Sequence, residues 1–248
     1  MRKFLGIMIA AAAFSAPVQA QQLPAVVQKL QELQDKSEAC ADQARPAAER
    51  LAVCNAAFEM ASKPETMRLL TLFGDIGSLS ATSSDARPAV DSAAQIRAMI
   101  LAARSEVKLD TGDLGGAIAD TDAADKLWPR HAGILNSRCW TRAVAKRDLD
   151  AARGYCKAAI AIRRDANIFD SLGLVNLQQR RWQDAWDAYN EAVSMEPSFT
   201  TSLYGRGLAA LALGKTAEGE ADIAKAGEAA AEFAGYGLTP ESMKAKPN

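Results

Sequence analysis

What most restricts the fold of this chain is a period of about 34 residues that sets in beyond residue 95. Counting from Gly173, small or helix-ending residues fall 12, 19 and 24 positions later, at Ala185, Ala192 and Pro197. The same offsets lead from Ser105 to Ala117, Ala124 and Pro129, from Trp140 to Ala152, Ala159 and Arg164, and from Gly207 to Gly219, Ala226 and Ala231. These origins lie 35, 33 and 34 residues apart, which marks a repeat architecture. Small side chains such as Gly173, Ala185 and Ala192 let two antiparallel helices come close, while Trp182 and Tyr189 fill the space between successive pairs. Pro197 cannot continue a helix, so it ends one unit and opens the next.

The small, aromatic and Pro pattern at this period resembles the tetratricopeptide repeat family. The resemblance covers a little over half of the chain. It implies an all-α, right-handed superhelix of helix-turn-helix units, here at 98–131, 133–165, 166–199 and 200–233 within a repeat region at 93–238. Trp140 stands where the family has Gly or Ala, Arg164 and Ala231 replace the terminal Pro, and Gly219 replaces Ala. A glycine inside a helix costs about 1 kcal/mol relative to Ala.

The family lines its concave face with the first helix of each unit, through the second, fifth, ninth, twelfth and thirteenth positions. Carried over, these are Met99, Ala102, Glu106, Leu109 and Asp110, then Ile134, Ser137, Thr141, Val144 and Ala145. The third unit supplies Asn167, Asp170, Leu174, Leu177 and Gln178, and the fourth Thr201, Tyr204, Leu208, Leu211 and Ala212. Leu174, Leu177, Tyr204, Leu208 and Leu211 form an apolar strip suited to a helix or an extended peptide. Val144 extends it, and Asn167, Asp170, Gln178 and Arg206 frame it with polar groups. The expectation is an open groove in which Leu174→Asp with Leu208→Asp abolishes capture without unfolding; the alternative is that the strip packs against the chain's own ends.

Ahead of the repeats, Arg2 and Lys3 precede an apolar run from Phe4 to Phe14, and Val18-Gln19-Ala20 closes it with a small residue. This reads as a cleaved secretory signal at 1–20, since the run is shorter than the ~20 residues that cross a bilayer. No Cys follows it, so neither a lipid nor a stable membrane anchor is expected. A helical region follows at 21–76, with helices over Leu23–Cys40, from Pro46 through Phe58, and over Glu65–Phe73. A small, polar loop is read at 77–92 and a loose tail at 239–248, with Phe233, Tyr236 and Leu238 capping the end of the stack.

Export makes the four cysteines candidates for disulfides. Cys40 and Cys54 are 14 apart and Cys139 and Cys156 are 17 apart, each pair flanking a turn. Of three connectivities the local one is expected, each bridge clamping a helical hairpin; buried free thiols are the alternative.

Composition narrows the chemistry. The 248 residues are 49% hydrophobic and 24% charged, as in ordinary globular proteins, and the net charge is −1. Without the leader, 27 basic and 30 acidic residues leave −3. No excess of positive charge favours nucleic acid. One histidine, His131, is a poor basis for a catalytic centre, and the acidic run Asp110, Asp113, Asp120, Asp122 and Asp125 lacks the ligand spacing of a calcium loop. No metal, cofactor or catalytic residue is expected. The sequence thus reads as a periplasmic or secreted non-catalytic scaffold that holds a protein or peptide partner of the envelope, with a small-ligand or glycan-binding accessory protein as the alternative.

Overall fold

The computed structural model describes residues 25–79 and 92–244. The expected leader, most of the 77–92 loop and residues 245–248 lie outside the described residues. All regular structure among the described residues is helical. The chain divides into two compact units, 1–129 and 130–248.

The first unit contains α1 (Ala25–Ala41), α2 (Ala47–Ser62), α3 (Pro64–Leu79), α4 (Ser92–Asp110) and α5 (Leu114–Leu127). Helix α3 runs through residues 77–79, which the sequence pattern assigns to a loop. α1 pairs with α2 and α4 with α5, while α2 and α3 both pack on α4. Their apolar faces meet at Leu33, Ala57, Met60, Leu70, Ile96 and Ile100. Cys40 and Cys54 are disulfide-bonded across the α1–α2 pair.

The second unit contains three further pairs: α6 (Ala132–Ala145) with α7 (Leu149–Ile162), α8 (Ala166–Gln178) with α9 (Trp182–Met195), and α10 (Thr200–Ala212) with α11 (Thr216–Lys225). A 3-10 turn, Gly227–Ala229, leads into α12 (Ala230–Gly235) and α13 (Pro240–Lys244). α6 packs on α8 and α8 on α10, so the first helices form one layer, and α7 and α9 each pack on the first helix that follows. Cys139 and Cys156 bridge α6 to α7.

The repeat register decides what is buried. Ala117, Ala124, Ala152, Ala159, Ala185, Ala192 and Ala226 all have 0% exposure. Gly219, a departure from the pattern, makes a very close approach: a Cβ there would lie 2.8 Å from the carbonyl oxygen of Gly207, and a Cβ at Gly207 would lie 2.9 Å from that of Gly219. The backbones of α10 and α11 touch, and any larger side chain at either position would separate them. At Trp140 the conflict is resolved differently. Cys139, one residue earlier, faces α7 with a Cα–Cα distance of 5.4 Å to Cys156, and the half-buried indole turns away.

A second periodic feature escapes the sequence pattern. Gly112, Lys146, Arg180 and Gly214, each 34 residues from the next, all have positive φ, at 81°, 52°, 57° and 77°. Each follows the first helix of its pair, and its N–H closes a short turn while the next N–H reaches a carbonyl five residues back, as Arg181 does to Asn176 at 2.8 Å. Glycine takes this left-handed conformation freely; lysine and arginine do not. Arg180 is exposed, and its backbone supplies the turn bond. Arg180→Gly should therefore raise the unfolding free energy by about 0.5–1 kcal/mol, measured by urea denaturation. An unchanged or lower midpoint would mean that the left-handed turn carries no strain.

Candidate functional site

The layer made by α6, α8 and α10 presents the expected apolar strip, and the structure shows what lies on it. Leu174, Leu177, Tyr204, Leu208 and Leu211 share one core cluster with Phe233, Leu238 and Met243, with Trp140, Val144 and Tyr236 at its margin. The Tyr204 and Phe233 rings stand 5.1 Å apart, Phe233 and Tyr236 6.0 Å, and Trp140 meets Tyr236 edge-on at 6.2 Å. Gly237 lies beside Lys146, its would-be Cβ 3.3 Å from Nζ. The segment after α11 thus reaches from α10 to α6 rather than only covering the end of the stack.

This corrects the open-groove expectation. Leu174 and Leu208 are 1% and 0% exposed, so both belong to the core. Leu177, Tyr204 and Leu211 are buried as well, and Val144 is half-buried. The residues from Thr239 on are also not a loose tail as far as Lys244. Thr239 Oγ1 accepts from the Ser242 N–H at 3.3 Å while Ser242 Oγ accepts from the Thr239 N–H at 2.9 Å, a reciprocal cap that starts α13 and directs Met243 inward.

The polar frame is equally committed to the fold. Arg206 donates Nε and Nη2 to the two carboxylate oxygens of Asp222 at 2.7 and 2.9 Å, and Nη1 to Asn190 at 3.0 Å. Gln178 is half-buried. Asn167 is exposed, with its amide nitrogen bonded to the Asp165 carboxylate that caps α8. Only Asn167 of this group is open to a visiting molecule.

Asp170 is a carboxylate enclosed within this layer. Ser202 Oγ donates to its carboxylate at 2.6 Å and Thr201 Oγ1 at 3.3 Å. Burial pushes its pKa up to about 7 from the ordinary 3.8; the two hydroxyl donors pull it down, and Glu232 of α12 pushes it further up. Tyr189 reaches the same region through a slot between Gly173 and Gly205, where an added Cβ at either glycine would overlap its ring. Its hydroxyl is buried and has no hydrogen-bond partner among the described residues. Burial, with Asp170 second, keeps that phenol well above its usual range.

Among the described residues no group of three or more His, Cys, Asp or Glu could hold a metal ion. His131 precedes α6, and burial followed by Arg163 lowers its pKa. An open depression on α3 is lined by Pro64, Met67, Arg68, Thr71 and Leu72. No helix among the described residues is long and apolar enough to cross a membrane.

No protein-family model matches the chain, and no curated protein does. Solved structures do. A thermophilic tetratricopeptide repeat protein of Thermus thermophilus superposes with a TM-score of 0.51 at 15% identity, over 87% of this chain and 98% of that one. The fold is tetratricopeptide-like. A tetratricopeptide repeat protein from Parabacteroides merdae gives 0.46 at 20% identity, over 80% and 78%. MamA from Desulfovibrio magneticus gives 0.47 at 16%, over 74% and 95%.

Two outcomes follow from the site. Leu174→Asp with Leu208→Asp should unfold the second unit, at a cost above about 4 kcal/mol, because two carboxylates would be forced into a sealed apolar cluster. Circular dichroism would show it as lost helicity; a native spectrum and melting point would restore the open groove. Asp170 binds a proton in the fold at pH values where the unfolded chain has released it. Stability should therefore fall as pH rises from about 4 to about 7. Asp170→Asn should stabilise at pH 8 and much less at pH 4, measured by urea titration at both values; equal effects would mean that Asp170 is ionised throughout.

Proposed function

We propose that this protein is a non-catalytic scaffold that holds a segment of a partner polypeptide against α6, α8 and α10 of its second unit. The observation that carries this reading is the layer's chemistry. Side chains from three successive first helices form a single apolar surface edged by an indole, and that surface accepts a helical stretch of polypeptide, α12 and α13, by aromatic and aliphatic contact. Such a face suits helix-in-groove recognition, in which a few large side chains supply most of the binding energy.

The compartment belongs to the same proposal. A positive start, a short apolar run and a small residue at Ala20 support cleavage of a leader and release into the periplasm or beyond. Two disulfides accord with an oxidising compartment. The partner would then be a protein or peptide of the cell envelope.

The test is affinity capture from envelope extract on immobilised residues 21–248, beside a variant carrying Trp140→Ala and Val144→Ser, with folding checked by circular dichroism. The expected result is a polypeptide kept by the parent chain and lost, or weakened at least about tenfold, with the variant, as a hot-spot aromatic warrants. Equal retention by a folded variant would place binding elsewhere, and no retained polypeptide would reject the scaffold.

A further inference from the structure

The stretch that covers the inner layer is built differently from the repeats. α12 has six residues and α13 five, joined through Gly237 at φ 69°. Helices this short do not persist in water without a surface to lie on. What holds them is one row of side chains. Ala229, Phe233, Leu238 and Met243 are buried and Tyr236 is half-buried, whereas Glu232, Ala231, Ala234, Gly235, Glu241 and Ser242 are exposed. The row reads aromatic, aromatic three residues on, and aliphatic two further: Phe233, Tyr236, Leu238. In place of the small residues that lock α10 to α11, large side chains from the segment rest on a layer the hairpins have already completed.

Glu232, exposed on α12, accepts a hydrogen bond from the Tyr236 hydroxyl at 2.9 Å, a contact made within the segment itself.

Resting on the scaffold reading above, we propose that residues 227–244 are a built-in ligand of the inner layer. The partner displaces them with a short helical segment of the same pattern: aromatic, aromatic at the third following position, and aliphatic at the fifth. The resident segment acts as a gate. Tethering gives it a high local concentration, so only a segment that outcompetes it is held, and the apparent affinity of every visitor is reduced by the fraction of time the face stands uncovered.

The probe is a fluorescently labelled synthetic peptide of residues 227–244, with binding read by anisotropy. The receptor is residues 21–248, either unchanged or carrying Phe233→Ser, Tyr236→Ser and Leu238→Ser, with helicity checked. The expected result is saturable binding at least about tenfold tighter to the triple variant than to the parent chain. It should be absent for the peptide with the three Ser substitutions. Equal binding to both receptors, or none to a folded triple variant, overturns the proposal.

Should the triple variant lose its helices, a site-specific protease sequence inserted between Gly227 and Glu228, both exposed, cuts the segment free while it is still in place. Excess labelled peptide should then exchange with it. A segment that leaves only when the second unit melts is permanent core, and the proposal fails. Concentration-dependent dimers that trade segments in preference to binding the peptide would assign the face to a second copy, which also overturns the partner assignment. Capture by the parent chain that Trp140→Ala with Val144→Ser abolishes, together with no peptide exchange, would leave the scaffold standing and remove only the gate.

Discussion

Every hairpin in this protein's repeats depends on two helices lying closer together than ordinary side chains permit. On the second helix of each pair the contact is made by side chains of one carbon or none, and the seven register alanines, in α5, α7, α9 and directly after α11, have no solvent exposure. Close packing of this kind yields dispersion and desolvation over the full helix length, yet it is intolerant of added volume. The approach of Gly207 and Gly219 is the limiting case, with each backbone filling the space where the other's Cβ would be.

Because the contact surface is so featureless, something else has to fix the axial register of each pair, and in three of the four pairs the chain uses one position for it. The residue just before each register origin is Arg104, Cys139, Leu172 or Arg206. Arg104 grips Asp120 through two bonds of 2.7 Å, and Arg206 grips Asp222 in the same two-pronged way. Cys139 does it covalently with Cys156. In the hairpin with Leu172 the fork is absent, and Tyr189 is seated between Gly173 and Gly205 instead. A two-pronged ion pair, a disulfide and a ring in a glycine slot are three chemical answers to one geometric need. The disulfides act on the unfolded chain as well, by about 3 kcal/mol each for loops of this size. The arginines also tie neighbouring pairs together: Arg104 reaches Asn55 of α2, and Arg206 reaches Asn190 of α9, both at 3.0 Å.

The hairpins are legible in the sequence because their defining residues recur at fixed offsets, and a recurring small residue has few reasons to exist other than a close contact. The local disulfide pairing is legible from the short spacing across each turn. The turns are less so. Gly112 and Gly214 are visible as turn residues, but Lys146 and Arg180 hold the same left-handed conformation, and nothing in a lysine or arginine advertises it. The inner layer is legible as a face, and its covering only as the second of two alternatives. Leu174, Leu177, Tyr204, Leu208 and Leu211 are assigned by their place in the repeat, but what rests on them lies outside the repeat, in Phe233, Tyr236, Leu238 and Met243. A segment with no period offers no register from which its docking can be inferred. One of its contacts is with Trp140, almost a hundred residues earlier in the chain.

Asp170 shows why the inner layer is more than spare core. A buried carboxylate with two hydroxyl donors and no cation costs stability at neutral pH, where an apolar residue of similar size would not. The unpartnered Tyr189 hydroxyl beside it adds a second unsatisfied group. A layer optimised only for packing would carry neither. Glu232 of the covering segment is the least of the effects on the first. What the segment brings to the layer is the apolar row of Phe233, Tyr236 and Leu238, contact that any chain with the same row could make, which is why the proposed exchange turns on those three side chains and not on the buried carboxylate.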